Sequence, residues 1–172
     1  HPDNVAPAID GNMIIAFMED GNLYHESIKV PEEIRFLAMV PNFELSTEKA
    51  RAVLPKEIPH KHGVFNVSRC ALLIAAFTKN NLDLVKAACK DKFHQDYRSH
   101  LINNYDDIVA YANSLDSLGT FLSGAGPTIM TLAKDSDNEI LDKMKSYLAA
   151  LPDNWQILDL HCDPNGAYYK EV

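Results

Sequence analysis

Short runs of alternating or continuous apolar residues stand at both ends of this chain, around a middle whose apolar positions recur at helical spacing. Asn12–Phe17 and Leu23–Val30 read as strands joined by Glu19-Asp20-Gly21-Asn22. Asp-Gly favours a tight hairpin because its central residues need positive φ. Ile34–Val40 is a third strand, closed by Pro41-Asn42. Ser46-Thr47-Glu48 predicts a helix start, with a hydroxyl cap and an acid in the first turn, running to Leu54-Pro55. Val64–Phe77 is apolar nearly all round apart from Asn66, Ser68 and Arg69, which predicts a buried helix rather than a surface one. Leu82–Cys89 and Asn104–Leu115 follow as helices. Thr120–Leu122 and Thr128–Ala133 are strands on either side of Ser123-Gly124-Ala125-Gly126-Pro127. Asn138–Leu151 is a helix with Ile140, Leu141, Met144, Tyr147 and Leu148 on its apolar side, and Trp155–Leu160 is the last strand.

Strands before and after a helical middle, with short connections, predict an α+β fold in which helices pack on one face of an antiparallel sheet. At the N-terminus, Pro7 has no N–H to give, so the first helix is expected to start at Asp3 or Asn4 and to hold the proline near its first turn. That helix and the hairpin after it need a sheet to join, since an isolated two-stranded hairpin is marginal in water. Strand partners outside the chain are therefore expected, and pairing with a second copy through the bare hairpin edge stays open.

The length, 172 residues, suits one domain or one domain and a piece of another. An apolar fraction of 47% is enough for a core. Sixteen basic against 24 acidic residues give a net charge of −8 and no basic stripe, which argues against a nucleic-acid partner. Ala71–Phe77, the longest strongly apolar run, falls far short of the ~20 residues that span a bilayer, so no membrane partner is expected. No basic stretch precedes an apolar one at the start, so no secretory leader is expected. Cys70, Cys89 and Cys162 are odd in number and far apart, which suits reduced thiols in a cytoplasmic protein.

Candidate chemistry lies in three places. A helix start at Asp3 or Asn4 presents free N–H groups to an anion beside His1; the plain alternative is a capped helix. Gly124 and Gly126 let a backbone approach a phosphate, or merely bend between two strands. Thr47 and Arg51, four apart on one helix face, can reach one ligand, and Arg98 adds a second guanidinium able to hold a carboxylate; each arginine could equally be a solvated charge. His60-Lys61-His62 lacks companions for a four-ligand metal site, and no nucleophile elbow, HExxH or Walker loop occurs.

Several of these segments together resemble the homoserine kinases of the GHMP kinase superfamily. The resemblance rests on His-Pro-Asp-Asn-Val-Ala-Pro at residues 1–7 and on Thr47, Arg51, Leu54 and Pro55 in one helix. It continues through Phe65, Asn66, Ser68 and Arg69, then His94-Gln95-Asp96-Tyr97-Arg98, and ends on the superfamily glycine motif at Ser123–Pro127. It implies a ferredoxin-like C-terminal domain, a four-stranded antiparallel sheet with helices on one face, over residues 32–172. Residues 1–31 are then the final helix and hairpin of the ATP-binding domain. The implied reaction moves the γ-phosphoryl group of ATP to the hydroxyl of L-homoserine, a step toward threonine, with Mg2+ as cofactor. Asn4 would touch the reacting hydroxyl, and His1 and Asp3 would help to hold the amino acid. Arg51 and Arg98 would pair with its carboxylate, with Thr47 nearby. Gly124 and Gly126 would back the nucleotide phosphates. The family's main ATP loop and its magnesium-binding glutamate match nothing in the chain and are expected upstream of His1, so the chain alone is expected to be inactive. The alternatives are a non-catalytic amino-acid-binding module and a GHMP kinase for another small alcohol.

Overall fold

The computed structural model describes residues 2–169. Helix α1 (Pro2–Asp10) leads into the hairpin β1 (Met13–Glu19) and β2 (Asn22–Ile28). Asp20 and Gly21 both take positive φ, 50° and 78°, as the Asp-Gly turn requires. The hairpin is a sheet of its own, with Phe17 stacked on Tyr24 and Ile15, Met18 and Leu23 exposed. The expected start of α1 is corrected: it begins at Pro2, a favoured first helical residue, so Pro7 lies in the second turn and forgoes one hydrogen bond there.

A four-stranded antiparallel sheet follows, ordered β4 (Gly119–Leu122), β5 (Ile129–Lys134), β3 (Ile34–Val40), β6 (Gln156–Leu160). In its register Leu37 lies between Thr131 and Asp159, and Met39 between Ile129 and Ile157. These inner positions of β3 and β5 pack with Ile108 and Ala112 of helix α6 (Tyr105–Ser114) and with Ile140, Met144 and Leu148 of helix α7 (Glu139–Ala149). Ile34 and Leu132, whose register puts them on the other face, meet Ala76 and Phe77 of helix α3 (His60–Thr78) and Val85 of the one-turn helix α4 (Val85–Ala88). Arg35 is buried on this sheet because Asp159 of the neighbouring strand takes both ends of its guanidinium fork and the Asp137 carbonyl accepts from Nη1 at 3.1 Å.

One helix differs from its sequence pattern. α3 starts at His60, four residues early, and only its last two turns reach the core: Ala76 and Phe77 are buried, while Val64 and Val67 are 57% and 69% exposed. The expected buried helix is thus a surface helix with one buried end. Apolar composition measures what a helix could bury, but length decides what meets the sheet. Leu82–Cys89 is a tight turn (Leu82–Leu84) leading into α4, and the short helix α2 spans Thr47–Ala52, with Lys49 N–H donating 3.1 Å to Ser46 Oγ. Among the described residues no helix is long and apolar enough to cross a membrane.

Candidate active site

The region between α3 and the glycine turn is organised by a four-residue helix, α5 (Gln95–Arg98). So short a helix cannot hold itself together. Asp91 nucleates it by accepting the backbone N–H groups of His94 and Gln95, each at 2.7 Å. Asn66 of α3 fixes Asp91 in turn: its Nδ2 donates 2.6 Å to the carboxylate, and its Oδ1 accepts from Lys92 N–H at 2.8 Å. Burial works to raise the Asp91 pKa, yet the hydrogen bonds from Gln95, His94 and Asn66 outweigh it and hold the carboxyl below its ordinary value.

From this platform two side chains grip the glycine turn. Gln95 Oε1 accepts from the backbone N–H of Leu122 at 2.8 Å and from the Tyr105 hydroxyl at 2.9 Å. One turn further on, Arg98 Nη1 donates 3.1 Å to the carbonyl of Gly124, and Arg98 Nε donates 2.9 Å to the carbonyl of Ala50 in α2. His94 Nδ1 lies 3.3 Å from Arg98 Nη1. Burial depresses the His94 pKa, with Asp91 raising it and Arg98 lowering it further, so a neutral ring accepts at Nδ1 from the arginine. Asp91, α5, α2 and the turn at residues 123–127 are thereby one hydrogen-bonded body.

The sequence-predicted residues fall into three groups. Arg98 and Gly124 come together, and Arg98 also holds the Ala50 carbonyl on the helix that bears Thr47 and Arg51. Thr47 and Arg51 are both exposed, and among the described residues no hydrogen bond or ion pair engages the Arg51 guanidinium. Gly124 and Gly126 take φ of 57° and 85°, and a Cβ would meet open space at the first but Leu122 and Ile102 side chains, at 3.1 and 3.2 Å, at the second. Gly124 therefore leaves backbone open to a ligand, whereas Gly126 answers to packing. Asn4 is exposed in α1, and among the described residues no hydrogen bond joins it to Arg51 or Arg98. His1 and the side chain of Asp3 lie outside the described residues.

Reading the sequence assigned no site role to Gln95, Asp91 or Asn66. Asn66 carried a signal, since a polar side chain interrupting an otherwise apolar helix needs a partner. No group of three or more His, Cys, Asp or Glu side chains converges among the described residues, so these residues do not fit a metal site. A cleft of about 1040 Å³ is lined by Glu26, Glu32, Glu33 and Asp135 and includes none of the predicted residues. A smaller one of about 350 Å³ borders Asp91, Gln95 and Tyr105.

The chain and its fold resemble known proteins. Residues 73–150 fit the family model described as GHMP kinases C terminal. A homoserine kinase of Clostridium botulinum (strain ATCC 19397 / Type A) is 48% identical over 166 residues, covering 96% of this chain and 56% of that relative. One from Clostridium beijerinckii is 46% identical over 167 residues, covering 97% of this chain and 56% of the relative. The crystal structure of homoserine kinase from Cytophaga hutchinsonii superposes with a TM-score of 0.89 at 27% identity, over 96% of this chain and 53% of that one. The chain thus spans about half the length of the relatives it matches. By sequence, by the C-terminal domain model and by superposition, the chain is similar to homoserine kinases of the GHMP kinase superfamily over about half of their length.

Proposed function

We propose that this chain supplies the amino-acid side of an ATP-dependent kinase that converts L-homoserine to O-phospho-L-homoserine on the route to threonine. The substrate hydroxyl oxygen forms the new bond to the γ-phosphorus as the bond to ADP breaks. Such a reaction asks the protein for position and charge more than for covalent chemistry. Arg51 and Arg98 would hold the substrate carboxylate with Thr47 beside them, Asn4 would meet the reacting hydroxyl, and His1 and Asp3 would steady the amino acid. Gly124, open on one side, and Gly126 would back the phosphates of ATP. Mg2+ would be held by ligands other than the described residues. Residues 1–31 would belong to the ATP-binding domain and 32–172 to the C-terminal domain, in a cytoplasmic protein with reduced thiols. The exposed apolar hairpin supports a covering partner, a second copy of the chain among them.

The observation that carries this reading is the bond from Arg98 Nε to the Ala50 carbonyl at 2.9 Å. It fastens one guanidinium beside the residue that bears the other, as a carboxylate clamp needs. Calorimetry on the 172-residue chain tests it, with L-homoserine titrated with and without ATP. L-Homoserine should bind, and Arg51→Ala should weaken binding at least about tenfold. Equal affinity in parent and variant would remove Arg51 from the clamp. Purified chain is expected to show no ATP-dependent turnover, and turnover by this chain alone would overturn that expectation.

A further inference from the structure

The C-terminal tail crosses the junction of α1 and β1 at a point where two of the chain's seven glycines meet. Gly11 and Gly166 both take positive φ, 70° and 65°. A Cβ on Gly11 would lie 2.6 Å from the Gly166 nitrogen and 2.7 Å from the Asp163 carbonyl oxygen. A Cβ on Gly166 would lie 2.5 Å from the Gly11 nitrogen and would strike the Ile9 carbonyl. These obstacles are backbone atoms, which cannot rotate aside. Hydrogen bonds complete the contact: Asn12 N–H donates 2.8 Å to the Asp163 carbonyl, Asn12 Nδ2 donates 3.1 Å to the Pro164 carbonyl, and Ala167 N–H is shared between the Ala8 and Ile9 carbonyls, 3.1 Å from each. The tail thus takes up carbonyls at the end of α1 that the helix leaves free.

We propose that residues 163–167 are a strap that positions α1, and that Gly11 and Gly166 are its fastening. The role in substrate binding rests on the reading above, in which Asn4 of α1 meets the substrate. α1 has nine residues and an internal proline, too little to define its own direction. Its last turn is gripped by the strap, which continues from β6, so the central sheet sets the angle of the helix. The end away from the strap carries Asn4. A nine-residue helix is a lever of about 13 Å, so a tilt of about 10° at the strap displaces the tip by about 2 Å. A shift of that size is enough to uncouple a positioning residue from its ligand.

Amide hydrogen exchange on the 172-residue chain tests the strap. Gly166→Ala and Gly166→Val should speed exchange at Ala8–Gly11 about tenfold or more, with β3 unchanged. Gly21→Ala, at φ 78° with nothing within 4 Å of its Cβ, imposes the same backbone strain without the contact and should leave α1 protected. Should Gly166→Val fail to fold, Ala167→Pro removes the shared N–H, besides fixing φ at 167 and restricting Gly166, and should give the same acceleration. Unchanged exchange in α1 across these variants overturns the strap. In a chain that binds L-homoserine, Gly166→Ala should weaken binding about tenfold at an unchanged melting midpoint of the sheet; faster exchange with unaltered affinity overturns the positioning role. A parent chain that binds no L-homoserine counts against the function proposed above, and exchange in α1 still decides the strap.

Discussion

Arg98 and Gly124 are 26 residues apart in sequence, yet the arginine's Nη1 donates 3.1 Å to the glycine's carbonyl while its Nε holds Ala50. One planar fork therefore ties the helix bearing Thr47 and Arg51 to the turn proposed to back the nucleotide. Lysine offers a compact point charge and cannot serve both carbonyls in that geometry. Arg98→Lys should lower stability by about 1–3 kcal/mol in urea denaturation, through acceptors left without donors. It should also weaken L-homoserine binding. A variant as stable and as tight as the parent would show that the fork is dispensable.

Gln95 performs the second half of that grip. Its Oε1 serves two donors, Leu122 N–H and the Tyr105 hydroxyl, and its Nε2 reaches the Cys89 carbonyl at 3.4 Å. Gln95→Ala should cost about 1–3 kcal/mol because a strand-end N–H loses its partner. Tyr105→Phe removes one donor from an oxygen that keeps another and should cost about 0.5–1.5 kcal/mol. The double variant should cost less than the sum, since both changes act on one oxygen. Strict additivity in denaturation midpoints at constant slope would mean that the three groups do not act together.

Much of the architecture was legible before the structure, for local reasons. The Asp20-Gly21 hairpin follows from turn chemistry, and the apolar spacing of Ile140, Met144 and Leu148 marks the face of α7 that is buried. What stayed hidden depends on long-range partners. Arg35 finds Asp159 at a separation of 124 residues, and nothing local distinguishes either from a surface charge. In the candidate site, the pairing of Thr47 with Arg51 follows from helical spacing, and Arg98 was flagged, but its two carbonyl partners were not. Asp91 and Gln95 hold backbone groups of the fold rather than a ligand, so their residue type alone does not announce them, and Asn66 is marked only as a polar break in an apolar helix.

The Arg35–Asp159 pair tests how much such a hidden contact contributes. Arg35 is buried and its carboxylate partner half-buried, so removing the anion leaves a guanidinium largely shut away from water. Asp159→Leu should destabilise by about 3 kcal/mol, whereas Arg35→Met with Asp159→Leu should recover most of the loss. A double variant no more stable than Asp159→Leu alone would show that the pair's bonds, and not the stranded charge, account for the effect.

Asp91 and His94 give the platform a pH dependence whose direction is fixed. The carboxyl pKa of Asp91 is lowered in the folded state from an ordinary 3.8, so the unfolded chain binds its proton first as pH falls. Its contribution is present above pH 3.8 and is lost below that as pH passes through the folded value. His94 is also lowered, from 6.5, so protonation again favours the unfolded chain, and stability should decline as pH falls below 6.5. Stability measured by denaturation from pH 8 to pH 3 should therefore fall in two stages. His94→Gln should flatten the upper stage, and Asp91→Asn should shrink the lower stage while deepening the upper, because Asp91 raises the His94 pKa. A profile that His94→Gln leaves unaltered would place the upper stage on another group.

Arg51 completes the set because it should behave in the opposite way to Arg98. It is exposed, and among the described residues it makes no ion pair, so Arg51→Ala should change stability by no more than about 0.5 kcal/mol. If its charge serves a carboxylate, the loss should appear in L-homoserine affinity, and that affinity should weaken with added salt in the parent more steeply than in the variant. Arg51→Lys should recover part of the affinity, keeping the charge but not the two-pronged geometry. Calorimetry at low and high salt separates these outcomes. Equal salt dependence in parent and Arg51→Ala would mean that this cation meets solvent only, and the clamp would then have to be built from Arg98 without it.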